Sequence, residues 1–194
     1  MIPQKANTNK FSHIFGYLYK SGGHGTHVAG TIAALAGNGI GVVGAGNFRL
    51  HIVRALGDDG KGYESDIRRA IGQCRDAGAH IINLSLGGPN MSSRSRELYT
   101  EVAEQDGVLI VAAAGNQGSD DMFYPASHPS IVSVAAVFEW NMFWGGSNWG
   151  SQIEVRRDFL TAVQNTDGIW HPQLLSHLLT NCPVLPLFWP SHYA

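Results

Sequence analysis

The sequence has few charged residues and few cysteines, and it contains no long apolar run. Only 14% of its 194 residues are Asp, Glu, Lys or Arg, and the formal net charge is -2. A dedicated nucleic-acid-binding domain normally carries a basic face, so this charge balance argues against one. No apolar stretch approaches the roughly 20 residues that span a bilayer, so we expect no membrane-spanning helix.

The two cysteines do not indicate the cellular compartment of the protein. Cys74 and Cys182 lie far apart in the sequence and lack metal-ligand spacing. They can form one disulfide or remain two thiols. Residues 1–7 lack the basic and then apolar pattern of a signal peptide, which predicts either a cytosolic protein or an N-terminus upstream of Met1.

Helical and extended patterns alternate from Thr26 onward and predict a parallel α/β fold. Hydrophobic residues make up 44% of the chain, enough for one sizeable core. The apolar runs 80–86 and 108–114 suit strands that are buried on both faces. Segment 64–77 repeats apolar residues at helical spacing. The predicted helices are 26–36, 64–77 and 93–105, and the predicted strands are 49–55, 80–86, 108–114 and 131–137.

A glycine-flanked histidine opens the motif Gly23-His24-Gly25-Thr26-His27-Val28-Ala29-Gly30-Thr31. A histidine between glycines at a helix start has open space around its ring, and its ordinary pKa of about 6.5 suits a general base. The motif resembles the catalytic-histidine motif of the subtilase (subtilisin-like) family of serine peptidases. This resemblance implies that His24 is the catalytic base and His27 a structural residue. For His-x-x-His alone, the alternatives are a surface histidine beside a turn and a two-histidine metal site.

Asn116 follows an apolar predicted strand within Ala112-Ala113-Ala114-Gly115-Asn116-Gln117-Gly118. A carboxamide at the carboxyl end of a strand can donate to the oxyanion that acyl transfer develops. The motif is similar to the oxyanion-hole motif of subtilases, which implies that Asn116 is the oxyanion donor. A turn Asn after a strand is the alternative when the motif stands alone.

The predicted strand 80–86 ends in a third motif, Asn83-Leu84-Ser85-Leu86-Gly87-Gly88. Its glycines allow an extended peptide to lie against the backbone. The alternative is a buried strand that ends in a glycine turn. The family resemblance implies two walls of a substrate cleft, formed by Ser85, Leu86, Gly87 and Gly88 and by Ala113, Ala114 and Gly115.

Residues Gly39 to Gly44 fit the Gly-x-Gly-x-x-Gly fingerprint of dinucleotide binding. That fingerprint needs a strand before it and a helix within it, whereas here a helical pattern precedes and a strand pattern follows. We therefore reject a nucleotide cofactor. The resemblance implies no cofactor for the chemistry and a structural calcium ion held by oxygens of Leu35, Asn38, Ile40 and Val42.

Two parts of a serine-protease mechanism are absent from these 194 residues. The mechanism needs an acid that orients the base and a hydroxyl that attacks the substrate. Residues 1–23 contain no Asp, and the family's nucleophile motif Gly-Thr-Ser-Met-Ala does not occur. Ser176 and Ser191 lack its glycine-rich approach. The resemblance ends at Val155, and we expect an N-terminal truncation and an out-of-frame or intron-derived tail.

Together these patterns predict a three-layer, parallel-sheet subtilisin-like α/β fold that is incomplete at both ends. Its predicted segments are an N-terminal remnant 1–22, a subtilase core 23–155 and a non-family tail 156–194. The resemblance implies a full-length serine endopeptidase that acts on polypeptides outside the cell. We expect this chain to be inactive as written, and a non-catalytic peptide-binding protein is the alternative. The oligomeric state stays open.

Overall fold

The computed structural model describes residues 10–15, 23–39, 41–138 and 142–158, which form a parallel sheet with helices on both faces. The strands of this described part are arranged in the order β2-β1-β3-β4-β5-β6, and all their pairings are parallel. They are β1 Lys10–Phe15, β2 Arg49–Arg54, β3 Ile81–Leu84, β4 Leu109–Ala113, β5 Val132–Val137 and β6 Val155–Asp158. The helices are α1 His24–Ala33, α2 Glu64–Asp76 and α3 Ser93–Thr100, which runs on as a π-helix over Glu101–Gln105.

Helix α1 covers one face of the sheet. Its buried residues Val28, Ala29 and Ile32 pack against apolar side chains of the sheet and of the segment before β2. These partners are Phe48, Leu50, Ile52 and Ile81. Successive strand residues point to opposite faces, so Ile81 faces α1 while its neighbour Ile82 faces away.

Helices α2 and α3 cover the opposite face, where the larger core lies. Ile71 and Cys74 of α2 and Val102 of the π-helix are fully buried there. They pack with Ile82 and Leu84 of β3, which is buried on both faces. A helix layer on each face of a parallel sheet gives the three layers that the sequence predicts.

The carboxyl ends of β3 and β4 lie side by side at one edge of the sheet. Leu84 of β3 pairs with Ala112 of β4, and Ile14 of β1 pairs with Leu84 from the other side. The chain therefore leaves β3 at Ser85 and β4 after Ala113 at neighbouring positions. Ligands of open parallel sheets bind outside such carboxyl ends.

The predicted elements agree closely with the structure from residue 24 to residue 137. The structure also contains β1 and β6, which the sequence did not predict. β1 lies within the predicted N-terminal remnant, and β6 crosses the predicted boundary at 155/156. The six residues of β1 carry Ser12 and His13 at their centre, and so they lack the apolar run that marks an interior strand. Pairing with β2 and β3 on both sides overrides this weak local signal. The division into three segments stays a prediction.

In the part of the chain that the structure describes, no helix combines the length and the apolar character needed to traverse a lipid bilayer.

Candidate active site

His24 is the first residue of α1, and the glycine before it sets its position. Gly23 has φ 68°, in the left-handed region that non-glycine residues enter at a cost. This turn directs the imidazole toward the end of β3. The His24 Nε2 atom lies 2.9 Å from the carbonyl oxygen of Ser85. The helix start and the strand end are thereby joined by one hydrogen bond.

The hydrogen bond to Ser85 fixes the tautomer of the neutral His24 ring. A carbonyl oxygen only accepts, so Nε2 carries the proton and donates it. The unprotonated nitrogen of the neutral ring is then Nδ1. Among the residues that the structure describes, no carboxylate forms a hydrogen bond or an ion pair with His24. The imidazole is thus held by a backbone carbonyl and not by a side-chain acid.

Ser85 is itself held in place by a buried carboxamide. Asn83 lies on β3 with only 4% of its surface exposed, and its Nδ2 atom donates to the Ser85 hydroxyl at 2.9 Å. A buried polar side chain that is hydrogen-bonded adds rigidity to its surroundings. Asn83 therefore orients the side chain of the residue whose carbonyl accepts from His24.

The turn after β4 presents Asn116 at the neighbouring strand end. Gly115 has φ 110°, and its carbonyl accepts from the backbone N–H of Asn148 at 3.0 Å. The backbone N–H of Asn116 donates to Gln117 Oε1 at 3.1 Å. Asn116 is partly exposed, and no described residue hydrogen-bonds to its carboxamide. The hydrogen bonds of Asn116 and of Gly115 before it thus fix the backbone of the turn.

The residues after β3 form a short antiparallel bridge with Tyr124. The N–H of Gly88 donates to the Tyr124 carbonyl at 2.8 Å, and the N–H of Tyr124 donates to the Gly88 carbonyl at 2.7 Å. The ring of Phe123 lies beside Gly87 and Gly115. These contacts hold the β3 end, the β4 end and segment 123–124 together.

The family model described as "Subtilase family" matches residues 8–168. The chain belongs to the subtilase family. This subtilase is 43% identical to the "Thermophilic serine proteinase" of Bacillus sp. (strain AK1) over 146 residues, which are 75% of this chain and 36% of that protein. It is 42% identical to "Subtilisin BL" of Lederbergia lenta over 134 residues, which are 69% of this chain and 49% of that protein.

Solved structures of subtilisin-like proteases are similar to this subtilase in fold. The psychrophilic subtilisin-like protease Apa1 from the Antarctic psychrotroph Pseudoalteromonas sp. AS-11 superposes with a TM-score of 0.67 at 34% identity. The match covers 77% of this chain and 41% of that one. The chain spans half or less of the length of these relatives. The predicted subtilisin-like α/β fold is confirmed.

The structure brings most of the predicted site residues of this subtilase to one edge of the sheet. His24, Ser85 and Asn116 lie there, with Gly87 beside the ring of Phe123 and Gly88 bridged to Tyr124. Leu86 instead packs partly against the core, and Ala114 is buried, with its N–H donating to the Val134 carbonyl. His27 is exposed. The catalytic and binding roles of these residues stay predictions.

The structure describes only part of the predicted calcium loop. Leu35 and Val42 are exposed loop residues, Asn38 lies between them, and Ile40 falls outside the described residues. Calcium takes six to eight oxygen ligands, and the calcium site stays a prediction. Within the described ranges, no group of three or more His, Cys, Asp or Glu side chains is arranged to hold a metal. We derive no function from a metal here.

Three residues that support the ends of β3 and β4 received no role from the sequence. Asn83 holds Ser85, Asn148 holds the turn of Asn116, and Phe123 lies beside both Gly87 and Gly115. Asn83 lies within the quoted motif 83–88, where a buried Asn beside a strand end is a signal that could have identified it. Asn148 and Phe123 carried no such signal, because their contacts lie far away in the sequence.

Proposed function

We propose that the full-length form of this subtilase is a serine endopeptidase that cleaves polypeptides through an acyl-enzyme. His24 acts as the base and later as the acid, and Asn116 donates to the oxyanion. The observation that supports this proposal most is the hydrogen bond from His24 Nε2 to the Ser85 carbonyl. It ties the imidazole to the end of β3, next to the strand end that leads to Asn116.

An extended peptide fits this cleft by strand addition. Such recognition uses backbone hydrogen bonds for affinity and pockets for specificity. Ser85, Gly87 and Gly88 form one wall, and Ala113 and Gly115 form the other. Asn116 lies at the end of the second wall, and its carboxamide is available to the carbonyl of the bond to be cleaved. Preorganised donors of this kind stabilise the charge that develops in the transition state.

We also propose that the 194 residues alone are inactive and that they retain peptide binding. β1 ends at Phe15, one residue after Ile14 pairs with Leu84, and residues 1–23 contain neither Asp nor Glu that could orient the base. The nucleophile motif is absent from the sequence. In subtilisin, loss of the nucleophile alone costs about 10⁶ in turnover.

We place the full-length protein outside the cell by analogy with the family.

One paired assay tests the proposal. The 194-residue chain and a longer product of the same coding DNA that includes a Gly-Thr-Ser-Met-Ala motif are treated with a fluorophosphonate probe and with a peptide substrate. We expect labelling and hydrolysis for the longer product alone. His24→Ala should abolish both, and Asn116→Ala should lower turnover by about 10²–10³, the loss known for the corresponding donor of subtilisin. Coding DNA without such a motif, or a longer product that is never labelled, contradicts the endopeptidase proposal.

One observation favours the non-catalytic alternative, and one experimental result would establish it. The absence of both the acid and the nucleophile from the sequence favours a protein that only binds peptides. The histidine motif and the oxyanion turn are unnecessary for binding, and their presence favours the enzyme. Peptide binding without labelling in every product of the gene would establish the binding protein instead.

A further inference from the structure

The chain leaves the end of α1 and then returns to it. The N–H of Gly44 donates to the Ala34 carbonyl at 2.9 Å. The next N–H, that of Ala45, donates to the Thr31 carbonyl at 2.8 Å. These bonds satisfy carbonyls that have no partner within the helix. The residues between the two ends include an exposed turn over residues 35–39, which we call the Asn38 turn.

Asn38 is followed by a residue that has no side chain. Asn38-Gly39 is the single Asn-Gly pair among the 194 residues. In such a pair, the backbone nitrogen of the glycine can approach the Asn Cγ atom without hindrance from a side chain of its own residue. Every other Asn of the sequence precedes a residue with a side chain, as Asn90 precedes Met91.

The Asn38 turn leaves room for this approach. Gly37 and Gly39 have φ 73° and φ 69°, and a Cβ atom added to either glycine would meet no heavy atom within 4 Å beyond its neighbours in the chain. Glycine adopts positive and negative φ about equally readily, so the backbone at Gly39 can change its angles at little steric cost. The turn is therefore open both to water and to a rearrangement of its backbone.

We propose that Asn38 is a spontaneous modification site, at which the folded chain deamidates to aspartate and isoaspartate. The Gly39 nitrogen forms a bond to Asn38 Cγ and loses its proton, while the Cγ–Nδ2 bond breaks and ammonia leaves. Water then opens the resulting succinimide ring. Attack of water at Cγ gives aspartate, and attack at the main-chain carbonyl carbon gives isoaspartate. The reaction consumes water and releases ammonia, and no atom is oxidised or reduced.

The modification adds a negative charge but should leave α1 in place. A neutral carboxamide becomes a carboxylate, so the formal net charge of -2 becomes more negative by one unit. The influence of a charge on a helix end falls off beyond the last turn, and Asn38 follows Ala33, the last residue of α1, by five residues. We therefore expect His24, at the start of α1, to keep its position. The inference is independent of the proposed function.

Incubation of the folded chain at mildly alkaline pH tests this inference. A chelator is included, so that no ion bound near the turn affects the rate. Ion exchange should show a more acidic form, and mass spectrometry should locate the replacement of NH by O in the peptide that contains Asn38. An isoaspartate methyltransferase should label that same peptide. Asn90 is an internal control, because it is also exposed but precedes Met91, and its amide should stay intact.

Two matched variants separate the attacking residue from the turn as a whole. Gly39→Ala places a Cβ atom beside the attacking nitrogen and should slow deamidation by about 10-fold, a factor that a small increase in the barrier suffices to produce. Gly37→Ala introduces the same strain at a similar φ, also in open space, but this residue supplies no nucleophile. It should deamidate at a rate near that of the native chain. Asn38→Ser should give no acidic form.

A sample of the same chain unfolded in urea gives the reference rate. An exposed turn opens at almost no cost in free energy, so we expect the folded chain to react within about 10-fold of the unfolded one. The amide NMR spectrum establishes beforehand that the native sample is folded. A folded chain that keeps Asn38 intact while the unfolded chain reacts would overturn the inference. Equal rates for Gly39→Ala and Gly37→Ala, or modification of Asn90 as fast as that of Asn38, would overturn it too.

Discussion

Asn148 and Gln117 exchange hydrogen bonds across the turn that carries Asn116. The backbone N–H of Gln117 donates to Asn148 Oδ1 at 2.8 Å, and Asn148 Nδ2 donates to Gln117 Oε1 at 3.0 Å. Asn148 is 1% exposed, so its carboxamide has no access to solvent. The same Gln117 oxygen also accepts from the N–H of Asn116. The position of the proposed oxyanion donor therefore depends on a buried residue far along the chain.

Asn148→Ala should destabilise the fold and loosen this turn. The substitution removes both side-chain hydrogen bonds and leaves the Gln117 N–H without its partner, which typically costs about 1–3 kcal/mol. Urea unfolding measures the loss, and the amide shift of Asn116 reports the turn. Asn90→Ala is the matched control, because Asn90 is exposed, and we expect a change within about 0.5 kcal/mol. Equal unfolding midpoints for the two variants would remove the support that we assign to Asn148.

Gly115→Ala should destabilise the fold for two separate reasons. The residue has φ 110°, and its new Cβ would lie 2.5 Å from Asn148 Nδ2 and 2.6 Å from Gln117 Oε1. Gly60 has φ 74° with open space around it, so Gly60→Ala carries the backbone penalty alone, about 1–2 kcal/mol. We expect Gly115→Ala to lose about 1–3 kcal/mol more than Gly60→Ala in urea unfolding, because crowding adds to strain. Similar losses would mean that the turn has room for a side chain.

Burial of His128 should make the fold sensitive to mild acid. His128 is 4% exposed, and burial and the charge of Arg96 lower its pKa below the ordinary 6.5, against the opposing charge of Glu104. A histidine with a lowered pKa in the folded state favours folding when it is neutral. Its contribution is therefore complete above about pH 6.5 and is lost as the pH falls through the folded-state pKa.

His128→Asn should remove this pH dependence at some cost in stability. The Asn side chain can still accept from the Ser130 N–H, which now donates to His128 Nδ1 at 3.2 Å. The edge-to-face contact with Tyr99 is lost, and we expect about 0.5–1.5 kcal/mol less stability at pH 7. Urea midpoints from pH 7 to pH 5 should change less in this variant than in the native chain. His80→Asn, at an exposed histidine, should keep the native pH profile. If the urea midpoint of His128→Asn falls with pH as steeply as that of the native chain, groups other than His128 cause the acid sensitivity.

The sequence predicts the interior strands and the site motifs because their signals are local. Buried strands such as β3 leave an apolar run, and the histidine motif around His24 is contiguous. The sequence of β1 contains no such apolar run, because pairing with β2 and β3 determines the position of this strand. Phe123 and Asn148 act through residues far from them in the sequence, and no local pattern indicates such contacts.

Glu64 joins the starts of two helices and should contribute to stability above acidic pH. Its Oε1 atom accepts from the Ser92 N–H at 2.7 Å and from the Ser92 hydroxyl at 3.0 Å, while Ser92 caps α3. Partial burial raises the pKa of Glu64, but hydrogen bonds from Ser95 and Ser92 and the charge of Arg68 together lower it below its ordinary value of 4.5. A carboxyl with a lowered pKa stabilises the folded state above about pH 4.5, and this contribution is lost as the pH falls through the folded-state pKa.

Glu64→Gln should therefore weaken the fold at pH 7 and match the native chain more closely at pH 3. Because the side chain is 35% exposed, solvent screens the charge, and we expect a loss of less than about 1 kcal/mol. Urea unfolding at the two pH values measures the difference. Glu97→Gln is the control, since Glu97 is exposed on α3, and it should give native midpoints at both pH values. Glu64→Gln and the native chain could differ in free energy of unfolding by as much at pH 3 as at pH 7. The Glu64 charge would then not stabilise the junction of α2 and α3.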